Sequence, residues 1–141
     1  MHNNTISIGT DIVQTDRLKS WETFSYDQLR RIFSEQELID CDYKNFASAV
    51  PKLAARFAAK EAFFKAISAA LVNLGMIENT FSLLFLCKHV EVSKKIWNIP
   101  VLNVNWKAIE AITGKLQEMR VELSLSHEKE YAIAFVVILT K

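Results

Sequence analysis

RFAAKEAFFKA, Arg56 to Ala66, is the stretch from which the rest of the chain can be read. It lies inside the longest helical pattern of the sequence. Leu53, Ala54, Phe57, Ala58, Ala62, Ile67, Ala70, Leu71 and Leu74 recur at the 3.6-residue period. Ser48–Pro51 opens this helix, with Pro51 in the first turn, where its missing N–H costs nothing. Gly75 serves as the C′ stop. Glu61 and Lys65 fall one turn apart near the middle, flanked by Arg56 and Lys60. A carboxylate and an ammonium at i, i+4 share one helix face. As a surface ion pair they contribute roughly 0.3–0.5 kcal/mol and nothing more. Two other stretches make them candidates for chemistry: SIGTDIV, Ser7–Val13, and LSLSHEKEYAIAFVVI, Leu123–Ile138.

Outward from the helix, Thr5–Val13 reads as a strand. Ile6, Ile8 and Ile12 share one parity and are expected to face the core; Ser7, Gly9, Asp11 and Val13 share the other. Asp11 is a carboxylate in an apolar strand, where aspartate is disfavoured, unless it caps the following turn. Thr15–Trp21 starts a helix with Thr15 as N-cap and a basic side of Arg17 and Lys19. Ser25 with Gln28, and Ser34 with Glu37, are capping boxes that open two short helices. Beyond Gly75, Phe81–Cys87 is a continuous apolar run read as a strand, followed by the alternating Lys88–Ser93. Trp97–Pro100 reads as a turn. Val101–Trp106 alternates, with Leu102, Val104 and Trp106 on one face. Ile109, Ile112, Leu116 and Met119 space an amphipathic helix weakened by Gly114. The end is a hairpin: Val121, Leu123 and Leu125 share one face, His127–Glu130 connects, and Tyr131–Leu139 returns. That return strand is apolar enough to be buried on both sides, in a sheet interior or a subunit interface. Separated helices and antiparallel strands make the class α+β.

The chain has 141 residues, 50% of them hydrophobic, which is one domain, 1–141, with a real core. A net charge of +1 excludes a general polyanion binder but leaves local phosphate sites open. Cys41 and Cys87 lack metal-ligand spacing and read as buried free thiols of a reducing compartment. No apolar run reaches membrane-spanning length, and MHNNT offers no signal-peptide core, so a cytoplasmic location is expected. With 3 Gly and 2 Pro there is no linker, and no repeat is present.

Asp11 and Glu61 come from different elements. If they converge, they repel unless a proton or a cation lies between them. Mg²⁺ suits such a pair: it takes one or two carboxylates, keeps waters, and completes its shell with phosphate oxygens. Lys65 then reaches the same phosphates as a point charge, and Arg56 and Lys60 are available for a further phosphate. His127 sits at a hairpin tip, where side chains approach a ligand from a rigid base. Such a set suits transfer of a phosphoryl-containing group, where the protein positions reactants and neutralises charge.

SIGTDIV, FAAKEAFFKA and LSLSHEKEYAIAF, in this order, resemble the three signatures of the holo-acyl-carrier-protein synthases, the small AcpS-type 4′-phosphopantetheinyl transferases. The resemblance implies an antiparallel sheet packed with a long central helix. It implies that Asp11 and Glu61 hold Mg²⁺ against the pyrophosphate of coenzyme A and that Lys65 contacts the phosphates. His127 would bind a coenzyme A phosphate, and Arg56 would help at the adenosine end. Asp11, Glu61 and Lys65 would be the catalytic set, with Glu61 the candidate base, directly or through a metal-bound water. The serine hydroxyl of an apo acyl carrier protein attacks the β-phosphate and 3′,5′-ADP leaves, in the service of fatty-acid biosynthesis. Arg17 matches a basic residue of the family's first helix, which meets the acidic carrier protein. Homotrimers with active sites between subunits are implied as well.

The match is not uniform. The family follows its second Lys-Ala with a Gly-Thr-Gly-like turn, whereas here Ala66 is followed by ISAALVNLGMI. A Gly-Lys-Pro turn is replaced by Asn98-Ile99-Pro100. Two alternatives remain in view: the same transferase acting on a specialised carrier protein, and a non-catalytic carrier-protein docking module. The module would not need Asp11, Glu61 and Lys65, and all three are present.

Overall fold

The computed structural model describes residues 4–76 and 80–141. Its centre is the helix α4, Phe46–Asn73, laid across a three-stranded antiparallel sheet in the order β1-β5-β4, with β1 Thr5–Gln14, β4 Met119–His127 and β5 Tyr131–Thr140. The hairpin of β2, Val90–Lys94, and β3, Pro100–Val104, forms a second small sheet. The short helices α1 Thr15–Lys19, α2 Tyr26–Arg30, α3 Glu35–Asp40, α5 Leu83–His89 and α6 Trp106–Thr113 enclose α4. Helices beside antiparallel strands give the expected α+β class.

Small residues let α4 approach the sheet closely. Ala58, Ala62, Ala66 and Ala70 are all buried, as are Ala132, Ala134, Val136 and Ile138 on β5. Gly9 on β1 is the tightest point: a Cβ there would lie 2.0 Å from the Ala62 carbonyl oxygen and 2.8 Å from the Ala66 nitrogen. This contact decides the parity of β1, and it reverses the expected one. Ser7, Gly9, Asp11 and Val13 face α4, while Ile6, Ile8 and Ile12 are 65%, 58% and 59% exposed. Only the parity that holds Gly9 can meet a helix backbone, and that constraint outweighs the hydrophobicity of three isoleucines. Within the chain β5 is buried on one face, and Tyr131, Ile133 and Phe135 are exposed on the other, which leaves only the subunit-interface branch of its expected two-sided burial. Register brings these faces together, with Ile12 opposite Ile133 and Thr10 opposite Phe135.

Both capping boxes form as read, Ser25 with Gln28 and Ser34 with Glu37. Thr15 is inside α1 rather than capping it; Gln14 is the N-cap, and the Thr15 hydroxyl donates to the Lys129 carbonyl at 2.7 Å. The long helix starts at Phe46, a turn before Pro51. Pro51 forgoes one hydrogen bond, and the first turn is held by Ala49 N–H donating to the Asn45 carbonyl. Gly75 takes φ +73 just past the helix end, the left-handed stop expected of it. The run 81–87 is not a strand. Ser82 accepts from Phe85 N–H at 3.1 Å and caps α5, which buries Leu86 and Cys87. A short apolar run has no period of its own, and the cap decides it. Trp106 begins α6 instead of ending β3, and α6 stops at Gly114, φ +88, so that Met119 opens β4.

Candidate active site

The reversed parity of β1 points Asp11 at α4. Lys65 Nζ donates to Asp11 Oδ1 at 3.0 Å and to the Thr10 carbonyl at 2.9 Å. Its ion pair is therefore with the strand and not with Glu61 one turn earlier on its own helix. Asp11 Oδ2 is buried and has no hydrogen-bond partner. Glu61 lies beside it. Burial, then the negative charge of the neighbouring Asp11, push the Glu61 carboxyl up to about 7, against the pull of Arg17 and Lys65. Two carboxylates this close share a proton near neutral pH or require a cation. Arg17, exposed on α1, has its guanidinium 5.6 Å from the centre of the Phe57 ring, on the same side as this cluster. Asp11, Glu61, Lys65 and Arg17 are thus brought together.

Arg56 and His127 meet elsewhere. They line a pocket of about 120 Å³ together with Lys52, Lys94, Asn98 and Pro100. Arg56 is buried; its Nη1 donates to the Lys52 carbonyl at 3.3 Å, and its Nε has no partner. His127 is exposed at the end of β4. In the sheet order β1-β5-β4, Asp11 and His127 lie on the two edge strands with β5 between them. Adjacent strands are about 4.8 Å apart, and α4 packs on β1 and β5, toward the β1 edge. Arg56 and Glu61, five residues apart, emerge on different sides of the helix, about 140° apart at 100° per residue. One chain therefore presents two half-sites: a carboxylate–lysine cluster on the β1 edge and a basic pocket on the β4 edge.

Lys60 belongs to neither, which corrects its reading as a phosphate-binding group. It is fully buried, and its Nζ donates to Glu37 Oε1 at 2.7 Å, the Ile32 carbonyl at 2.7 Å and the Cys87 carbonyl at 3.0 Å. An ammonium has three donors, and all are used inside the core. Glu37 completes the network: Oε1 also accepts from Ser34 N–H at 2.8 Å and Oε2 from Val92 N–H at 2.9 Å. This pair ties α3, α4, α5 and β2 together directly behind Glu61. Its signal in the sequence was the phase of Lys60, between Phe57 and Phe63 on an apolar stripe. Cys41 and Cys87 are buried and unpaired, and burial pushes both thiols up to about 11.

Among the described residues no group of three or more His, Cys, Asp or Glu side chains could enclose a metal. The β1 cluster offers two carboxylates and one unpartnered buried oxygen. That donor set fits a hard cation which keeps waters and takes further oxygens from a phosphate. Among the described residues no helix is long and apolar enough to cross a membrane.

Comparison with known proteins gives a consistent result. A family model described as the 4′-phosphopantetheinyl transferase superfamily matches residues 7–136. A holo-[acyl-carrier-protein] synthase of Ehrlichia chaffeensis is 36% identical over 138 residues, covering 96% of this chain and 98% of that protein. One of Treponema pallidum is 36% identical over 133 residues, covering 94% of each chain. Helicobacter pylori holo-[acyl-carrier-protein] synthase in complex with coenzyme A is 28% identical and superimposes with a TM-score of 0.66 over 93% of this chain and 98% of that one. The Chronobacterium ammoniagenes ACPS–CoA complex, 24% identical, shares the fold with a TM-score of 0.78 over 97% and 98% of the two chains. Three sequence signatures, a matching fold and near full-length relatives agree: the chain belongs to the holo-[acyl-carrier-protein] synthase family of the 4′-phosphopantetheinyl transferase superfamily.

Proposed function

We propose that this chain is one transferase domain, 1–141, that moves 4′-phosphopantetheine from coenzyme A to a serine of an apo acyl carrier protein, with Mg²⁺, in cytoplasmic fatty-acid biosynthesis. The observation that carries the reading is the cluster of Asp11, Glu61 and Lys65, with one Asp11 oxygen buried and unpartnered. Asp11 and Glu61 hold the cation, which when bound supplies charge neutralisation at the pyrophosphate. Lys65 is 55% exposed at its side chain, with the third of its donors free for a phosphate oxygen while the other two anchor it to β1. The carrier serine hydroxyl attacks the β-phosphorus, the bond to the bridging oxygen breaks, and 3′,5′-ADP departs with that oxygen. Glu61 is the candidate acceptor of the serine proton, directly or through a water; the rise of its carboxyl to about 7 belongs to the pair without a cation, and a cation held between the two carboxylates would lower it. Arg56 and His127 bind the phosphate at the adenosine end, and Arg17 on α1 meets the acidic carrier protein.

The two half-sites on opposite edges of the sheet support an assembly in which the β1 edge of one copy closes on the β4 edge of another. The apolar face of Ile6, Ile8, Ile12, Ile133 and Phe135 is the surface such copies would bury. A homotrimer with active sites between subunits satisfies both features.

The test is the mass of a purified apo acyl carrier protein after incubation with the chain, coenzyme A and Mg²⁺. A phosphopantetheine gain is expected, absent with chelator and with Glu61→Ala. Mixing the inactive Glu61→Ala and His127→Ala chains should then restore part of the activity, because some sites pair the intact half of each. No gain on any carrier, together with no metal-dependent binding of coenzyme A, would overturn the reading in favour of a docking module.

A further inference from the structure

The hairpin between β2 and β3 carries a residue that its turn does not want. Lys95 N–H donates to the Ile99 carbonyl at 2.9 Å and closes a tip of Ile96, Trp97 and Asn98. Trp97 has φ 65 and Asn98 has φ 56, both left-handed. Consecutive left-handed residues favour Asn, Asp or Gly, so Asn98 suits its place. A tryptophan at positive φ is an outlier, since a bulky side chain clashes there. Packing against another ring would offset the strain, and other rings of this chain are packed in that way. Trp21 stacks on Phe24, and Trp106 meets Phe63 edge to face. Trp97 has no such partner among the described residues and is 89% exposed. An indole that is strained and bare in the free protein marks a place where a ligand is expected.

The surroundings say which ligand. Asn98, the next residue, lines the pocket that holds Lys52, Arg56, Lys94 and His127. Cations that grip a phosphate beside an exposed aromatic face are the two parts needed to hold a nucleotide: charge for the phosphate, a π surface for the base. Ile96 and Ile99, 80% and 55% exposed, extend the apolar surface of the tip, so a protein is the competing occupant; the cations of the adjoining pocket favour a nucleotide, and unchanged 3′,5′-ADP binding in Trp97→Ala would leave the tip to a protein. We propose that Trp97 is a purine-binding residue, its indole stacking on the adenine of coenzyme A while Lys52, Arg56, Lys94 and His127 hold the neighbouring phosphate. This rests on the reading above that the nucleotide end of coenzyme A occupies that pocket. It adds a recognition element on the hairpin tip, at the place where Asn98-Ile99-Pro100 replaces the Gly-Lys-Pro turn.

Titration of the whole protein with 3′,5′-ADP, followed by tryptophan fluorescence and by calorimetry, tests it. Quenching is expected in the unaltered chain and should vanish in Trp97→Phe, which keeps its affinity because a phenyl ring still stacks. Trp97→Ala should weaken binding about tenfold, the scale of one lost base–aromatic stack. It should raise KM for coenzyme A and leave kcat unchanged. The loss should not vary with salt, whereas the loss in Arg56→Ala should. If Trp97→Ala binds 3′,5′-ADP like the unaltered chain while Arg56→Ala does not, the stacking role is refuted and the pocket stands. If Arg56→Ala and His127→Ala also bind it normally, the nucleotide lies elsewhere and both readings fall.

Discussion

Gly9→Ala is the smallest change that should damage fold and site together. The added Cβ would fall 2.0 Å from the Ala62 carbonyl oxygen, whereas such contacts are not found under 3.0 Å. Strand and helix must therefore separate by about 1 Å or more, and the obstruction is backbone on the helix side, with no side chain to swing aside. A radial gap of 0.5–1 Å forfeits roughly a quarter to a half of each dispersion contact it opens. Overpacking a core costs about 1–3 kcal/mol, and a clash that no rotamer relieves belongs at the top of that range. We expect about 3 kcal/mol, read as a shift in the urea midpoint with unchanged slope. Activity should fall further than stability alone requires. Asp11 lies two residues along the same face, and Glu61 precedes Ala62, so a 1 Å displacement opens the cluster itself. Misplacement on that scale costs roughly 100-fold in rate. Gly75→Ala is the control: its φ of +73 is strained for alanine, but nothing lies within 4 Å. It should cost about 1 kcal/mol and leave activity intact. A Gly9→Ala chain with ordinary stability and ordinary kcat/KM would refute the claim that this contact sets the parity of β1.

Four further outcomes follow from the same structure. Lys60→Met should cost about 3–5 kcal/mol in urea denaturation because it leaves the Glu37 charge buried and alone, and adding Glu37→Gln should return most of it; a silent Lys60→Met would mean the pair carries no energy. The Glu61 carboxyl is raised from 4.5 to about 7, so the folded chain binds a proton that the unfolded chain releases. Without metal, stability should be full below about pH 4.5 and decline as pH rises through 7, and Glu61→Gln should remove that decline when midpoints are compared from pH 5 to 8. Cys41 and Cys87, buried and pushed up to about 11, should resist a thiol reagent at pH 8 until urea unfolds the chain; rapid labelling of the native protein would show that the core opens locally. Ile133→Asp, on the bare sheet face, should yield a folded monomer by light scattering and circular dichroism with little transferase activity, and an unchanged oligomer would clear that face of any role.

Helix punctuation was the most legible part of the fold. Ser25, Ser34 and Gly75 act where local chemistry acts alone: a hydroxyl accepts from a backbone N–H three residues on, or a glycine takes a left-handed turn. The errors came where a neighbour distant in sequence decides. Hydrophobicity alone gives β1 the opposite parity, because Gly9 answers to Ala62, more than fifty positions away, and no local pattern reports that contact. The 81–87 run has an apolar residue at nearly every position, so it suits strand or helix equally until Ser82 caps it.

Site residues divide along the same line. Asp11 stands out as a carboxylate in an apolar strand, whereas Glu61 and Lys65 read as an ordinary helix pair until SIGTDIV and LSLSH are set beside them; the structure brings the three within reach of one another. Lys60 was misread because charge type says nothing of direction. It stands on the apolar stripe of α4, and an ammonium in that phase must find partners in the core; Glu37 and two carbonyls provide them. Arg56 and His127 line one pocket, but that they share it, and that it lies across the sheet from Glu61, cannot be read from a linear order. That separation has a functional consequence. Arg56 and Glu61 leave α4 on different sides, so a coenzyme A molecule touching both half-sites, as proposed above, would have to pass around the helix or bridge two copies. The exposed isoleucines of β1 and the exposed ring of Phe135 then have one economical use, to bring a second β4 edge against the first β1 edge. The inverted parity of β1 turns Asp11 toward Glu61 and leaves Ile6, Ile8 and Ile12 on the open face, where, in the assembly proposed above, a second copy would complete the site.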